Sequence, residues 1–196
     1  MQAHDSRLES ILDSVEALFA RDGYHATSMR DIADASGLSV AGIYYYIPSK
    51  QIALAMVCER IFDRLDAGVP TPDSAATPIE LLQRFVRSHL RYVLANDSAY
   101  RVLLHDMELL EGAASERVRL RKRNYFRSLA HMIARIDPAA RFTARLAAGA
   151  LFGMLNWAPT WYRAEIDGNC DQATDALTSL FLGGLLASGN VAEALL

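Results

Sequence analysis

The sequence predicts an all-α protein of about nine helices, built from a small three-helix N-terminal domain and a larger helical C-terminal domain. Apolar residues recur at helical spacing, capping residues stand in front of these stretches, and no segment shows convincing strand alternation. With 196 residues, of which 52% are hydrophobic, the chain can bury a sizeable core. We expect the domains to comprise residues 1–48 and 49–196.

The N-terminal helices are predicted from capping chemistry and from glycines that end them. Ser6–Glu9 is a capping box followed by an apolar stripe, and Gly23 ends that predicted helix. Residues 27–28 cap a second helix that Gly37 ends, and Ser39 caps a third. Later helix starts are predicted at Pro48, Thr77, Asp97, Ser115, Asp137 and Asn169.

The overall charge does not by itself indicate a nucleic-acid partner. The net charge is −3, and residues 1–50 contain four basic side chains against seven acidic ones. However, no Asp or Glu occurs from Ala35 to Cys58, so a surface formed there is neutral to positive. The acids of the first helix are then expected to lie on its outer side.

The cysteines and the chain ends predict a location. Cys58 and Cys170 lie far apart in apolar surroundings and are expected to be free core residues in a reducing compartment. The N-terminus lacks the pattern of a secretory leader, and no run reaches the roughly 20 apolar residues of a membrane span. We therefore expect a cytoplasmic protein with no membrane partner.

Residues 29–46 fit the helix-turn-helix pattern. Ala33 is small where two helices would cross, and Gly37 falls in the turn, where a Cβ would strain the backbone. Apolar side chains at Ile32, Leu38 and Ile43 would hold the two helices together.

The wider frame from Thr27 to Lys50, TSMRDIADASGLSVAGIYYYIPSK, resembles the tetracycline-repressor-like (TetR) family. The similarity includes the Arg-Asp-Ile-Ala core, the Gly-Leu-Ser turn, the Tyr triplet and the Ser-Lys pair. Ile47 stands where the family usually has Phe, a conservative change on the packing side. The resemblance implies a DNA-binding transcriptional repressor with a C-terminal ligand-binding and dimerisation domain.

The same residues predict how DNA is held. A helix N-terminus near Thr27, the hydroxyl of Tyr44 and the charge of Lys50 suit phosphates, whereas Tyr45 and its small neighbours would meet base edges. Arg30 either contacts a phosphate or pairs with Asp34. The expected DNA-binding residues are Thr27, Ser28, Arg30, Ser39, Val40, Ala41, Gly42, Tyr44, Tyr45 and Lys50. Tyr46 is expected to pack inside.

Small residues in the eighth and last predicted helices indicate a homodimer. Residues 144–153 are rich in Ala and Gly, and Gly183 and Gly184 lie among leucines. Small side chains let helix axes approach closely, so these helices are expected to pair with a second copy.

The effector is predicted less directly. Residues 151–163 are similar to a segment of TetR regulators that sense acyl-coenzyme A. The apolar side chains of this segment either line a tunnel for the ligand or only pack the core. The basic cluster at 117–123 either meets coenzyme A phosphates or is a solvated face. The candidate ligand-binding residues are Met154, Trp157, Trp161, Arg121, Arg123 and His105.

Two other functions are alternatives to an acyl-CoA-responsive repressor. The alternative within the family is a multidrug or xenobiotic sensor that represses an efflux gene. His89, His105, Asp106 and Glu108 lack any familiar ligand spacing, and no phosphate loop or nucleophile motif occurs. We therefore expect no enzyme activity, no cofactor and no metal.

Overall fold

The structure is a computed structural model that describes residues 2–71, 75–136 and 142–186. These residues form ten α-helices and one 3₁₀ turn, and within them there is no strand, which confirms the all-α class. The helices are α1 (Gln2–Asp22), α2 (Met29–Ala35), α3 (Val40–Tyr46), α4 (Lys50–Ala67), α5 (Pro78–Ala95), α6 (Asp97–Asp106), α7 (Gly112–Ala134), α8 (Ala144–Trp161), α9 (Ala164–Asp167) and α10 (Cys170–Leu186). The 3₁₀ turn is Met107–Leu109.

The chain divides into two compact units. The N-terminal unit comprises Met1–Arg64 and Asn96–Arg123, and the C-terminal unit comprises Leu65–Ala95 and Asn124–Leu196. Of the three boundaries, two fall inside helices, α4 and α7, and the third falls between α5 and α6. This is a division by packing, and the functional boundary expected near residue 48 stays a prediction.

The first helix differs from its prediction only at its start. It begins at Gln2, so Ser6 lies inside the helix and the expected capping box at Ser6 is wrong. Residues 2–5 continue the helix, with Asp5 in its first turn, where a carboxylate is favourable. Gly23 follows the helix with φ +84°, as predicted. The apolar stripe is buried, and its members are Ile11, Leu12, Val15, Leu18 and Phe19.

The capping chemistry is confirmed where the cap acts within three residues. Thr77 accepts from the Glu80 N–H at 3.2 Å, and the Glu80 carboxylate accepts from the Thr77 N–H at 2.7 Å. Asn169 caps α10 in the same way, through the N–H groups of residues 171 and 172.

Three helix boundaries differ from the predictions. α7 begins at Gly112, three residues before the expected Ser115. The predicted start at Asp137 lies outside the described residues, and α8 begins at Ala144 with Thr143 as its cap. The four-residue α9 was not predicted and brings the total to ten.

The core of the C-terminal unit is centred on α5, which packs against α8 and α10. One face of α5 is buried along its whole length. It consists of Leu81, Leu82, Phe85, Val86, His89, Leu90 and Val93. α8 contributes Leu151 and Leu155, and α10 contributes Phe181. The titratable side chain of His89 therefore sits in the middle of an apolar core.

The first helix is joined to α4 by a buried arginine. Arg60 is only 7% exposed, and its guanidinium donates to Asp13 at 2.7 Å and to Glu16 at 2.6 Å. Glu9 also lies within ion-pair distance of Arg60. The acids of α1 were expected to lie on its outer side. This holds only in part, because three of them neutralise the Arg60 cation.

Both cysteines are free, and burial raises the pKa of the Cys58 thiol to about 12. Cys58 is therefore an unreactive core residue at neutral pH. Across the described ranges, none of the helices combines the length and apolarity that crossing a bilayer requires.

Candidate nucleic-acid interface

The helix-turn-helix predicted from residues 29–46 is formed by α2 and α3. Ile32, Ala33 and Ile43 are fully buried, which is the packing predicted for the crossing point. The turn between the helices contains Gly37 at φ +64°, a conformation that costs other residues energy. The Leu38 N–H donates to the Ala33 carbonyl at 3.0 Å and closes the end of α2.

Two serines fix where the helices of this motif begin. Ser28 accepts from the Asp31 N–H at 3.2 Å, and Asp31 accepts in return from the Ser28 N–H at 2.7 Å. Ser39 accepts from the Gly42 N–H at 3.1 Å. The hydrogen bonds from Ser28 lower the pKa of the Asp31 carboxyl. A phosphate at the start of α2 would therefore have to compete with a carboxylate, and this contact stays a prediction.

The outward face of α3 is apolar and aromatic. Tyr45 is 74% exposed and Tyr44 is 48% exposed, and Val40 and Ala41 face solvent beside them. Large apolar side chains left in water on a short, well-capped helix mark a surface that another molecule covers. Tyr46 was expected to pack inside, but it is only half-buried.

Two residues that were expected to bind phosphate have internal partners. The Lys50 ammonium donates to the carbonyls of Tyr24 at 2.8 Å, His25 at 3.3 Å and Thr27 at 2.9 Å. It also lies 4.3 Å from the centre of the Tyr24 ring. Thr27 is buried, and its hydroxyl donates to the Gly23 carbonyl at 2.9 Å. Lys50 thus joins the loop before α2 to the start of α4, and Thr27 closes that loop on itself. Their contacts with DNA stay predictions.

A contact that the sequence did not reveal supports the motif from α1. Arg7 donates from Nη2 to the Ser36 carbonyl at 2.9 Å and so satisfies the end of α2. The two residues are 29 positions apart, and no local pattern indicates their pairing.

Arg30 is exposed on α2.

The candidate ligand residues are divided between the two units. Met154 is half-buried on α8, whereas Trp157 is 67% exposed and Trp161 is also exposed on the same helix. Arg121, Arg123 and His105 belong to the N-terminal unit. Lining of a tunnel by the tryptophans stays a prediction.

The basic cluster of α7 is engaged with carboxylates. Arg121 donates to Asp63 of α4 at 2.7 Å, and Arg117 donates to Glu59 of the same helix at 2.9 Å. Glu108 lies within ion-pair distance of Arg119 and Lys122. These exposed pairs agree with the reading of the cluster as a solvated, charge-balanced face. Binding of coenzyme A phosphates by Arg121 and Arg123 stays a prediction.

Sequence reasoning missed the polar centre of the C-terminal unit, which we call the His89 cluster (His89, Tyr125 and Asn156). The Asn156 amide oxygen lies 3.0 Å from His89 Nε2 and can only accept, so Nε2 carries the proton. Nδ1 then accepts from the Tyr125 hydroxyl at 2.9 Å. The rings of Phe85 and Phe152 pack around the imidazole.

The environment of His89 keeps its imidazole neutral. Burial lowers the pKa of His89 from 6.5 to about 4, opposed in part by the hydrogen bond with Asn156. An uncharged imidazole, a phenol and an amide in an aromatic surrounding can recognise a neutral polar group on an otherwise apolar molecule. The spacings of 36 and 67 residues within the cluster explain why no sequence motif indicates it.

The outer side of α8 and α10 is apolar and open. Leu180 is 69% exposed, and space is free around the positions where Gly149, Gly153, Gly183 and Gly184 would carry a Cβ. A groove of about 490 Å³ lies between the two helices. It is lined by Phe142, Leu146, Ala147, Ala150, Leu180, Phe181, Gly184 and Leu185. This is the surface on which the sequence predicts the dimer.

Nowhere in the described part of the chain do three or more His, Cys, Asp or Glu side chains gather as they would around a metal ion. His89 is buried in the C-terminal unit, and His105 is exposed in the N-terminal unit.

Comparison with known families gives two matches that together cover most of the chain. Residues 11–52 match the family described as bacterial regulatory proteins, tetR family. Residues 75–185 match the family described as tetracyclin repressor-like, C-terminal domain.

Two curated regulators and one solved structure are similar to this chain. The transcriptional regulator RutR of Escherichia coli is 27% identical over 112 residues, 57% of this chain and 52% of RutR. The repressor KstR2 of Mycobacterium tuberculosis is 33% identical over 107 residues, 50% of this chain and 54% of KstR2. The chain thus spans about half the length of these curated relatives. The crystal structure of AibR with isovaleryl coenzyme A and operator DNA has a TM-score of 0.77 and 24% identity, covering 89% of this chain and 97% of AibR.

Proposed function

Because the chain belongs to the TetR family of bacterial regulatory proteins, we propose that it is a homodimeric transcriptional repressor that binds operator DNA and is released by a small hydrophobic effector. The observation that carries this proposal is the outward face of α3. A short helix packed on α2 and presenting Tyr45 to solvent has the size and exposure of a helix that enters a major groove.

The contacts with DNA follow from the side chains of that face. Val40, Ala41 and Gly42 are small, so the backbone of α3 approaches the base edges closely and the methyl groups of thymine pack against them. Tyr45 extends beyond them and reads an adjacent base pair. Tyr44 places its hydroxyl at the phosphate backbone, where contacts set the register without reading sequence.

Dimerisation supplies the second reading helix. The open apolar side of α8 and α10 is the surface we assign to the partner copy, because a monomer would leave Leu180 and the groove in water. A two-fold dimer presents two α3 helices to half-sites separated by one turn of DNA, about 34 Å. The operator is therefore expected to be roughly palindromic.

The effector is proposed to be an acyl-coenzyme A of fatty-acid, sterol or aromatic-acid metabolism. Support comes from the AibR complex, which contains isovaleryl coenzyme A, and from the chemistry of the His89 cluster. An acyl chain suits the surrounding phenylalanines, and an acyl carbonyl oxygen can accept from the Tyr125 hydroxyl in place of His89 Nδ1, to which that hydroxyl donates in this structure. A neutral imidazole beside a phenol and an amide suits this group better than it suits a cationic drug.

Release follows from a difference in affinity between two states of the dimer. The effector has to prefer the state whose α3 helices are wrongly spaced for successive major grooves. α4 is the element expected to transmit this change, since it begins at Lys50, four residues after α3 ends.

The test has two arms. A duplex is first enriched from a random-sequence pool by the wild-type protein, and its binding is measured by fluorescence anisotropy. Isovaleryl-CoA, a long-chain acyl-CoA, the matching free acids and a planar cationic dye are then added. We expect release by one of the acyl-CoA probes, and weaker release from Tyr125→Phe at unchanged DNA affinity. Release by the dye alone would contradict the effector proposal, and failure to enrich any duplex would contradict the function itself.

A further inference from the structure

The N-terminal end of α1 contacts the exposed face of α3 through an aromatic cluster. The ring of His4 stacks on the ring of Tyr46 with centroids 4.9 Å apart and planes inclined by 30°. The same imidazole meets the Tyr45 ring edge-on at 5.8 Å. Tyr45 and Tyr46 are themselves perpendicular, with centroids 5.1 Å apart. Three rings from two helices thus form one group at the surface.

Tyr45 needs such support because most of its side chain lies in water. It is 74% exposed, so little of the protein interior restricts its rotamers. Holding a mobile side chain in one orientation when it binds a partner lowers the affinity by about 2- to 12-fold. Rings that already hold it lower this cost before DNA arrives.

We propose that His4 is a positioning residue of the DNA-binding surface, which orients Tyr45 for base contact through the rings of Tyr45 and Tyr46. This inference rests on the proposed function and names a part of the surface outside the helix-turn-helix. It assigns the imidazole a role through its ring and not as a phosphate ligand, because Asp5 Oδ1 lies 3.7 Å from His4 Nδ1. A carboxylate at this distance repels a phosphate.

The test uses the duplex enriched by the wild-type protein and compares three variants. His4→Ala removes the ring and keeps helix propensity, His4→Phe keeps a ring, and His131→Ala removes an exposed histidine on α7 as the matched control. We expect His4→Ala to weaken binding about 3- to 10-fold, in line with the value of aromatic pairs. His4→Phe should restore binding to within about 2-fold, and His131→Ala should bind like the wild type.

A double-mutant cycle separates positioning from a general loss of stability. In a Tyr45→Ala background, His4→Ala should cost almost nothing further, because the ring it orients is gone. Additive effects would overturn the proposal, as would wild-type binding by His4→Ala or an equal loss by His4→Phe. These outcomes concern His4 alone, since the proposed function fails only if the wild-type protein enriches no duplex.

Discussion

Acidification should destabilise this protein through the buried side chain of His89. In the folded chain, burial lowers the pKa of His89 from 6.5 to about 4. The unfolded chain therefore takes up a proton between these two pH values while the folded chain does not. The contribution of the neutral imidazole is fully present above pH 6.5 and is lost as the pH falls toward 4.

The size of the effect follows from the same two values. A separation from 6.5 to about 4 corresponds to about 3 kcal/mol at full extent. At pH 4.5 most of this is already lost, about 2–3 kcal/mol relative to a chain without the imidazole. His89→Gln is the comparison, because glutamine offers both a donor and an acceptor but does not titrate in this range.

Urea unfolding at several pH values between 7.5 and 4.5, followed by the fluorescence of Trp157 and Trp161, measures this difference. The wild type should lose about 2–3 kcal/mol more than His89→Gln over that range. His131→Gln, at an exposed position of α7, is the control and should follow the wild type. Equal pH dependence in the wild type and His89→Gln would refute the reasoning, as would an NMR titration of His89 at or above pH 6.5.

Two further predictions concern the turn and the dimer. Gly37→Ala should lower the free energy of unfolding by about 1–2 kcal/mol because φ is +64° at this position. Gly37→Asn should lower it by less. Equal losses for the two variants in urea titrations would contradict the argument from backbone conformation. Leu180→Arg should give monomers in analytical ultracentrifugation because it places a charge on the open groove. Ile166→Arg, at a still more exposed position on α9, should stay dimeric. A dimeric Leu180→Arg would show that the interface lies elsewhere.

The sequence predicted those parts of the structure that depend on neighbouring residues. The caps at Ser28, Ser39 and Thr77 act on N–H groups within three residues, so residue type and spacing suffice to place them. The turn at Gly37 is equally local. The start of α1 was misplaced because Ser6 has good capping chemistry, yet the residues before it continue the helix.

The sequence did not indicate the contacts between residues that are far apart in the chain. The sequence did not indicate that the Lys50 ammonium meets carbonyls 23 to 26 residues away, and its contact with phosphate stays a prediction. Arg60 gathers acids from α1 over more than 40 residues. The His89 cluster joins three helices, and only the packed chain shows that its members meet. Pairings at such separations are set by tertiary packing, which helical periodicity does not encode.

Hydroxyl-radical footprinting on the enriched duplex tests the central claim most directly, with wild-type protein and Tyr45→Ala side by side at low salt. The account predicts two protected segments centred about one helical turn apart, which need several-fold more protein with Tyr45→Ala although that variant unfolds at the wild-type urea concentration. Protection that persists unchanged in Tyr45→Ala, or cleavage by the wild type identical to that of bare DNA, would contradict it.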